Sequence, residues 1–140
     1  MEEQNQLGVV IITPDKSYPR NAADSVSVVA GSGRLEILPG HAEYLGEVAV
    51  SALEISSGGK IRRYAVGGGA MHINNAENTV YLILNSIEAA DEIDPARALV
   101  EKTRAEKKLR GELSAKEHVK AELSLRKALN RLSVKGNKGV

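Results

Sequence analysis

The spacing of apolar residues changes near residue 90, and this change limits the folds that the chain can adopt. Before that point apolar and polar residues alternate, as in DSVSVV at 24–29, and Gly and Pro recur about every eight to twelve residues. This pattern is typical of a β-sandwich or barrel of roughly eight to ten short strands. From Asp94 onward the spacing becomes helical. The sequence therefore predicts two domains, a β-sandwich over residues 1–90 and an α-helical domain over residues 91–140.

The first predicted helix runs from Pro95 to about Arg110. Asp94 can accept free backbone N–H groups, Pro suits the first helical position, and Gly111 can end the helix. Arg97 fits this helix start poorly, because the positive end of the helix dipole disfavours a cation by about 0.3–1 kcal/mol. An ion pair with Asp94 would offset this conflict within the helix, and an external anion would offset it instead. The residues alone leave both interpretations open.

The second predicted helix begins with SAKE, Ser114 to Glu117, which is a capping box. It is expected to end at about Leu132 or Ser133, before a frayed basic KGNKG segment. Because only about three residues connect the helices, they must form an antiparallel hairpin. Such a hairpin buries little surface by itself, so we expect it to depend on docking and to be able to undock. Small residues that allow close helix approach recur at a spacing of seven: Ala98, Ala105, Ala121 and Ala128.

Composition excludes several classes of function. The chain has no Cys, which rules out disulfides and Cys-ligated metals, and only 3% aromatic residues, which disfavours stacking on single-stranded nucleic acid. His41, His72 and His118 show no metal-ligand spacing, so no metal site is predicted. No nucleophile–base arrangement is visible, so the chain is predicted not to be an enzyme. The longest apolar runs are too short to span a bilayer, and no direct membrane span is expected.

Charge is distributed unevenly. Residues 1–90 carry 6 basic and 10 acidic side chains, a balance of −4, whereas residues 91–140 carry 13 and 8, a balance of +5. The basic second helix is either an ordinary solvated face or a surface for an acidic protein or a phosphate-bearing ligand. A nucleic-acid-binding module is the alternative function, and the low net charge of +1 counts against it. The basic residues are Lys116, Lys120, Arg126, Lys127, Arg131, Lys135 and Lys138.

Two glycine-rich segments are candidates for ligand-binding loops. VGGGAM lacks the Lys-Ser/Thr of a phosphate-binding loop, and GSGRLE departs from the dinucleotide-binding pattern, so both are interpreted as turns between strands. LPGHAEYL, Leu38 to Leu45, is more informative, because Pro-Gly indicates a type II turn with His41 exposed. This segment is either an ordinary loop or a binding loop on a rigid β scaffold.

The order of these motifs resembles the epsilon-subunit family of F-type ATP synthases. The matching segments are VVIITPD, DSVSV, ILPGHA, AVGGGA, ENTVYLIL, EIDPARA and KAELSLRKALNRLSV, which together cover nearly the whole chain. The resemblance implies a ten-stranded β-sandwich followed by an antiparallel two-helix hairpin. It also implies a non-catalytic rotor subunit of a proton-translocating complex, in which the hairpin opposes ATP hydrolysis when extended and permits turnover when folded against the sandwich.

The resemblance further implies partners and a location. The sandwich would bind the gamma subunit and the c-subunit ring, and the extended hairpin would meet the alpha and beta subunits of the catalytic head; no nucleic acid is implied. The c-ring contact maps to Arg34, Pro39, Gly40 and His41, and the catalytic-head contact to Arg126, Lys127 and Arg131. The protein would be peripheral on the cytoplasmic face of the bacterial plasma membrane, with the stromal face of the thylakoid as the alternative.

A nucleotide site is the last implication of the resemblance. Some relatives bind ATP in the folded hairpin through an I-D-x-x-R-A motif, which Ile93, Asp94, Arg97 and Ala98 match. Further contributing positions correspond to Glu88, Arg104 and Arg131, and Lys127 stands where those relatives have Arg. No cofactor is required on this interpretation, and ATP is a regulatory ligand that is not hydrolysed.

Overall fold

A computed structural model describes residues 6–136, which form a β domain followed by two helices. The predicted order of strands and then a helical hairpin is confirmed. A single 3-10 turn, Ala90–Glu92, connects the two parts. The strands are β1 Leu7–Ile12, β2 Ser17–Ala23, β3 Ser25–Ala30, β4 Gly33–Ile37, β5 Tyr44–Ser57, β6 Lys60–Asn74, β7 Thr79–Leu84 and β8 Ile87–Ala89. The helices are α1 Pro95–Leu109 and α2 Ala115–Gly136.

The strands follow the order β2-β1-β7-β6-β5-β3-β4, and β8 pairs with β6. Only the β1–β7 pair is parallel among the described strand pairs. The two long strands β5 and β6 pair with each other from Tyr44↔Ile73 to Ser57↔Lys60. One part of β6 pairs with β7 and another with β8, so the long strands contribute to both layers of the sandwich.

The strand count is eight among the described residues rather than the ten that the resemblance implied. The prediction that VGGGAM is a turn was wrong, because β6 passes through Gly67–Gly69 without ending. Gly68 and Gly69 have φ values of 85° and 153°, and a Cβ on Gly69 would clash with the carbonyl oxygen of Ile83. These glycines therefore let a long strand change direction against its neighbour, a known role of glycine inside strands.

Aliphatic side chains fill the space between the layers. The alternation seen in the sequence places one side of each strand inward, as in β3, where Val26 and Val28 are fully buried. Leu53, Met71 and Leu82 are also fully buried. Without Phe or Trp, the core is built from branched aliphatic residues and Met, as the composition requires.

Both helices begin as predicted. The Asp94 carboxylate accepts hydrogen bonds from the backbone N–H groups of Ala96 (3.0 Å) and Arg97 (3.4 Å). Ser114 and Glu117 form the reciprocal capping box, with both hydrogen bonds at 3.2 Å. The first helix ends one residue before the predicted Arg110, and the second continues past the predicted end to Gly136. Most of the segment expected to fray, including Lys138, lies outside the described residues.

The two helices pack along the predicted alanine seam. Ala98, Ala105, Ala121 and Ala128 are all at most 4% exposed, whereas Leu129 on α2 is 45% exposed. Small side chains thus line the contact between the helices, which allows their backbones to approach closely. The hairpin lies folded against the sandwich, and α2 makes most of that contact.

Candidate functional site

The contact between hairpin and sandwich has a small apolar part. Val134 of α2, Ile93 before α1 and Ala65 of β6 form a buried cluster, against which Ala52 and Ala90 pack. Beside it, the Asn130 side chain donates a hydrogen bond of 2.8 Å to the carbonyl oxygen of Ser51 in β5. This contact satisfies a backbone acceptor of the sandwich with a side chain from the hairpin.

Arg131 forms the charged part of the contact. Its Nε and Nη2 donate to the two carboxylate oxygens of Glu88 in β8, at 2.8 and 3.2 Å. Its Nη1 donates to Glu101 of α1 at 2.5 Å. The hydrogen bonds that Arg131 donates to Glu88 are the main reason why the pKa of Arg131 is raised, with the charges of both carboxylates adding to the effect and burial opposing it. One guanidinium therefore joins β8, α1 and α2.

A cleft of ≈ 380 Å³ lies between hairpin and sandwich next to this joint. Its charged lining consists of Glu88, Glu101, Lys127 and Arg131, and their formal charges sum to zero. Hydroxyl and amide groups from Ser86, Ser124 and Asn130 also line it. A site with both signs of charge and several hydrogen-bonding groups suits a polar ligand.

The predicted nucleotide residues are only partly brought together. Glu88, Lys127 and Arg131 line the cleft, as predicted residues of one site should. Ile93 and Ala98 are buried in packing contacts, at 2% and 0% exposure. These two residues therefore support the position of the hairpin and offer little surface to a ligand.

The remaining predicted residues lie at the start of α1 or along it, outside the cleft lining. Asp94 serves as the helix cap, which is the simpler of its two interpretations. Arg97 and Arg104 are exposed, and no described residue makes an ion pair with either. Glu101 lies between them at i+4 from Arg97 and three residues before Arg104, so all three share one helix face. The Asp94–Arg97 ion pair considered from the sequence is not formed among the described residues.

Sequence reasoning missed Glu101 and Asn130. The spacing of Glu101 relative to Arg97 and Arg104 could have identified it, because it places one acidic residue between two basic residues on the same helix face. Its partner could not be read from the sequence, because Arg131 lies 30 residues further along the chain.

The Pro-Gly turn has the predicted geometry. Gly40 has φ = 81°, and the N–H of His41 donates to the carbonyl oxygen of Leu38 at 3.1 Å, as in a type II turn. The expectation that His41 is exposed was wrong: it is half-buried, and its Nδ1 lies 2.8 Å from the carbonyl oxygen of Ala42. Pro39 is half-buried as well.

Side chains from the β6–β7 turn hold the Pro-Gly turn in place. The Asn75 amide donates to the carbonyl oxygens of Gly40 (3.2 Å) and His41 (2.9 Å), and Asn78 accepts from the Gly40 N–H at 2.7 Å. Glu43 accepts from the Asn75 N–H at 2.9 Å, which is the main reason why its pKa is lowered; its bond to His72 lowers it further. The turn is therefore a fixed surface.

Arg34 does not join this surface. Its guanidinium donates to Ser27 at 2.8 Å and to the carbonyl oxygen of Ala52 at 3.2 Å. These two partners lie in β3 and β5, whereas the Pro-Gly turn is held by Asn75 and Asn78 of the β6–β7 turn. The four residues assigned to the c-ring contact thus fall into two separate places.

Family comparison accounts for both parts of the chain. Residues 6–90 match the family described as ATP synthase, Delta/Epsilon chain, beta-sandwich domain, and residues 91–136 match ATP synthase, Delta/Epsilon chain, long alpha-helix domain. The chain belongs to the ATP synthase delta/epsilon chain family. The resemblance read from the sequence motifs is thereby confirmed.

Curated members of the delta/epsilon family match over almost their full length. The chain is 37% identical over 128 residues to the ATP synthase epsilon chain of Ruminococcus albus, covering 91% of this chain and 95% of that one. It is 32% identical over 134 residues to the epsilon chain of Nitratidesulfovibrio vulgaris, covering 96% and 98%.

Solved structures share the fold. A chain in the Euglena gracilis mitochondrial ATP synthase, OSCP/F1/c-ring, matches with a TM-score of 0.78 at 20% identity, covering 87% of this chain and 76% of that one. A chain of the Tetrahymena thermophila mitochondrial ATP synthase, central stalk/c-ring, matches with a TM-score of 0.63 at 15% identity, covering 93% and 98%.

The described part of the chain offers neither a metal site nor a membrane-spanning helix. Within residues 6–136, His, Asp and Glu side chains nowhere group in a way that could hold a metal ion. Neither described helix combines the length and apolar character needed to cross a membrane.

Proposed function

We propose that the protein is a non-catalytic rotor subunit in the central stalk of an F-type ATP synthase, coupling the catalytic head to the membrane c ring. Family membership supports this assignment, as do the central-stalk and c-ring assemblies in which the fold recurs. A regulatory role for the hairpin is supported by the way it docks. It contacts the sandwich at only a few places, most of them at Ile93, Arg131 and Val134.

A broad outer face of the sandwich suits the gamma subunit. Ile12 of β1 pairs with Ile83 of β7, and both point outward, at 36% and 50% exposure. Leu45 of β5, 78% exposed, lies on the same face beside His72. Exposed apolar residues on one face of a rigid sheet are typical of a protein interface.

The Pro-Gly turn is the proposed contact with the c ring. Its fixed conformation supports this role, because a surface that is ordered before binding loses less entropy on contact. In the assembled complex, a cysteine placed at His41 should cross-link to a c subunit. Cross-links only to the catalytic subunits would contradict the placement, and a cysteine at Arg34 serves as the comparison because Arg34 lies in β4 and contacts β3 and β5 rather than the Pro-Gly turn.

Regulation would come from undocking of the hairpin. When extended, the basic face of α2 would meet acidic surface of the alpha and beta subunits through Arg126, Lys127 and Arg131. Exposed ion pairs contribute about 0–1 kcal/mol each, so inhibition should need several of them and weaken as salt rises. Replacing Arg126 and Lys127 by Gln should raise ATP hydrolysis by the complex while Arg131 keeps its docking contacts. Arg126→Gln alone, which leaves the cleft lining unchanged, separates this effect from a loss of ATP binding at Lys127.

ATP is the proposed regulatory ligand of the folded hairpin. Lys127 and Arg131 at the cleft, with Arg97 and Arg104 on the adjacent face of α1, would attract the phosphates, and Glu88 and Asp94 would accept hydrogen bonds from ribose or adenine. ATP would bind without being hydrolysed. A ligand that binds only the folded form stabilises that form by mass action.

The assignment as a whole predicts a peripheral protein on the cytoplasmic face of a bacterial plasma membrane. The bacterial origin of the curated relatives supports this location. The decisive experiment is co-isolation: the tagged full-length chain, produced in its native cell, should purify with the gamma, alpha, beta and c subunits. Isolation with RNA, or alone, would contradict the proposal.

A further inference from the structure

Arg131 pairs with two carboxylates of its own chain. Three of its five N–H donors point at carboxylate oxygens of Glu88 and Glu101. The three side chains are partly buried, with Arg131 26%, Glu88 30% and Glu101 39% exposed. Paired donors and carboxylates in this geometry are among the stronger hydrogen bonds in proteins.

Glu101 also changes the charge of the surface on which it lies. It stands between Arg97 and Arg104 on one face of α1, and it makes the charged lining of the cleft neutral. Without Glu101 the same lining would carry a charge of +1, and Nη1 of Arg131 would be free. An anion at Arg131 must compete with two carboxylates that already accept from three of its donors.

We infer that Glu101 takes the place of a phosphate group at Arg131: its carboxylate pairs α1 with α2 and orients the guanidinium that docks on Glu88, which supports the docked hairpin without a nucleotide, and it must be displaced before a phosphate ligand can reach that guanidinium. This inference rests on the proposed function insofar as the ligand is ATP. Its first consequence is that Glu101 supports the docked hairpin, and this can be tested on the isolated chain without ATP.

Amide hydrogen exchange in α2 of the full-length, nucleotide-free chain tests the first consequence. The exchange rates of protected amides report the ratio of docked to undocked hairpin. For Glu101→Gln we expect this ratio to fall roughly two- to fivefold, which is the range of a partly exposed ion pair. Glu112→Gln removes the same charge from the exposed connection between the helices, and it should leave the ratio unchanged.

Calorimetry with ATP tests the second consequence. A ligand that binds only the docked form has an apparent dissociation constant equal to the intrinsic one divided by the docked fraction. After correction with the exchange data, Glu101→Gln should bind ATP roughly two- to fivefold more tightly than the parent chain, and Glu112→Gln should bind like the parent.

Each outcome decides one of the two claims. Unchanged α2 exchange in Glu101→Gln, or equal or weaker corrected affinity where the parent binds ATP, would overturn the role of Glu101. If no chain gives heat with ATP, the nucleotide part of the proposed function is wrong, and the exchange data still decide whether Glu101 supports the docked hairpin.

Discussion

The sandwich and the hairpin differ in what holds each of them in place. The sandwich encloses branched aliphatic side chains and Met from most of its strands, many with no exposed surface. The hairpin is joined internally by alanines and docks through Ala65, Ile93 and Val134, one amide and one guanidinium. Apolar burial contributes about 25 cal/mol per Å². The sandwich buries many more apolar side chains than the docking contact does, so we expect the sandwich to be stable and the docking of the hairpin to be weak enough to change.

The largest effect should come from the sandwich core. Leu82→Ala removes a fully buried side chain and should lower the free energy of unfolding of the full-length chain by about 2–5 kcal/mol, because the cavity cannot collapse completely. Urea denaturation measures the change. Leu129→Ala, at a half-exposed position on α2, should change it by less than about 0.5 kcal/mol. Equal losses of unfolding free energy in the two variants would contradict the claim that the sandwich core contributes more to stability than this position on α2.

A nucleotide should stabilise only the hairpin. Arg97→Ala should lower ATP affinity at least about tenfold, since a charged hydrogen bond contributes roughly 1.5–3 kcal/mol, while helix content by circular dichroism stays nearly intact. Lys127→Arg should strengthen binding, because the planar guanidinium can form paired hydrogen bonds with phosphate. Absence of heat with the parent chain at millimolar ATP would leave Asp94 and Arg97 as parts of a plain helix start.

Docking should depend on Arg131 more than on other basic residues of α2. Arg131→Ala leaves Glu88 and Glu101 without their cation and should weaken docking by about 1–2 kcal/mol, visible as faster amide exchange in α2 with unchanged protection of β7. Arg131→Lys should restore docking in part. Arg126→Ala, at an exposed position, is the matched control. Equal exchange in both alanine variants would contradict the role of this guanidinium.

Removing the hairpin should barely affect the sandwich. A chain that ends at Asp91 loses Ile93 and the contacts of α2, but it keeps the entire main core. We expect its free energy of unfolding to fall by less than about 1 kcal/mol, and gamma binding to persist in a pull-down. Aggregation, or loss of gamma binding, would show that the two parts are not independent.

The smallest effect concerns the start of α2. The backbone N–H and side chain of Ser114 lower the pKa of Glu117 below its usual 4.5. A lowered folded-state pKa stabilises the fold above about pH 4.5, and this stabilisation is lost as pH falls through the folded-state value. Circular dichroism should therefore show helix loss below pH 4.5 that is reduced in Glu117→Gln, which still accepts hydrogen bonds but does not titrate. An identical pH profile in both chains would contradict this.

Local sequence signals determined the elements of the fold. Alternation predicted the strands, because strand side chains point to opposite faces in turn, and Asp94-Pro95, SAKE and Pro-Gly predicted two helix starts and a turn through contacts between near neighbours. The alanine spacing likewise predicted the helix seam. Each of these depends on residues a few positions apart, so the sequence carries the needed information directly.

Only the tertiary structure decided the contacts between distant segments. The path of β6 through Gly67–Gly69 follows from its close approach to β7, which local sequence does not encode. The pairing of Arg131 with Glu88 and Glu101 joins residues 43 and 30 positions apart. From the sequence alone, a charged side chain on a helix has many equivalent candidate partners. The partner of Arg131 is fixed only when packing at Ala65, Ile93 and Val134 brings α2 onto the sandwich.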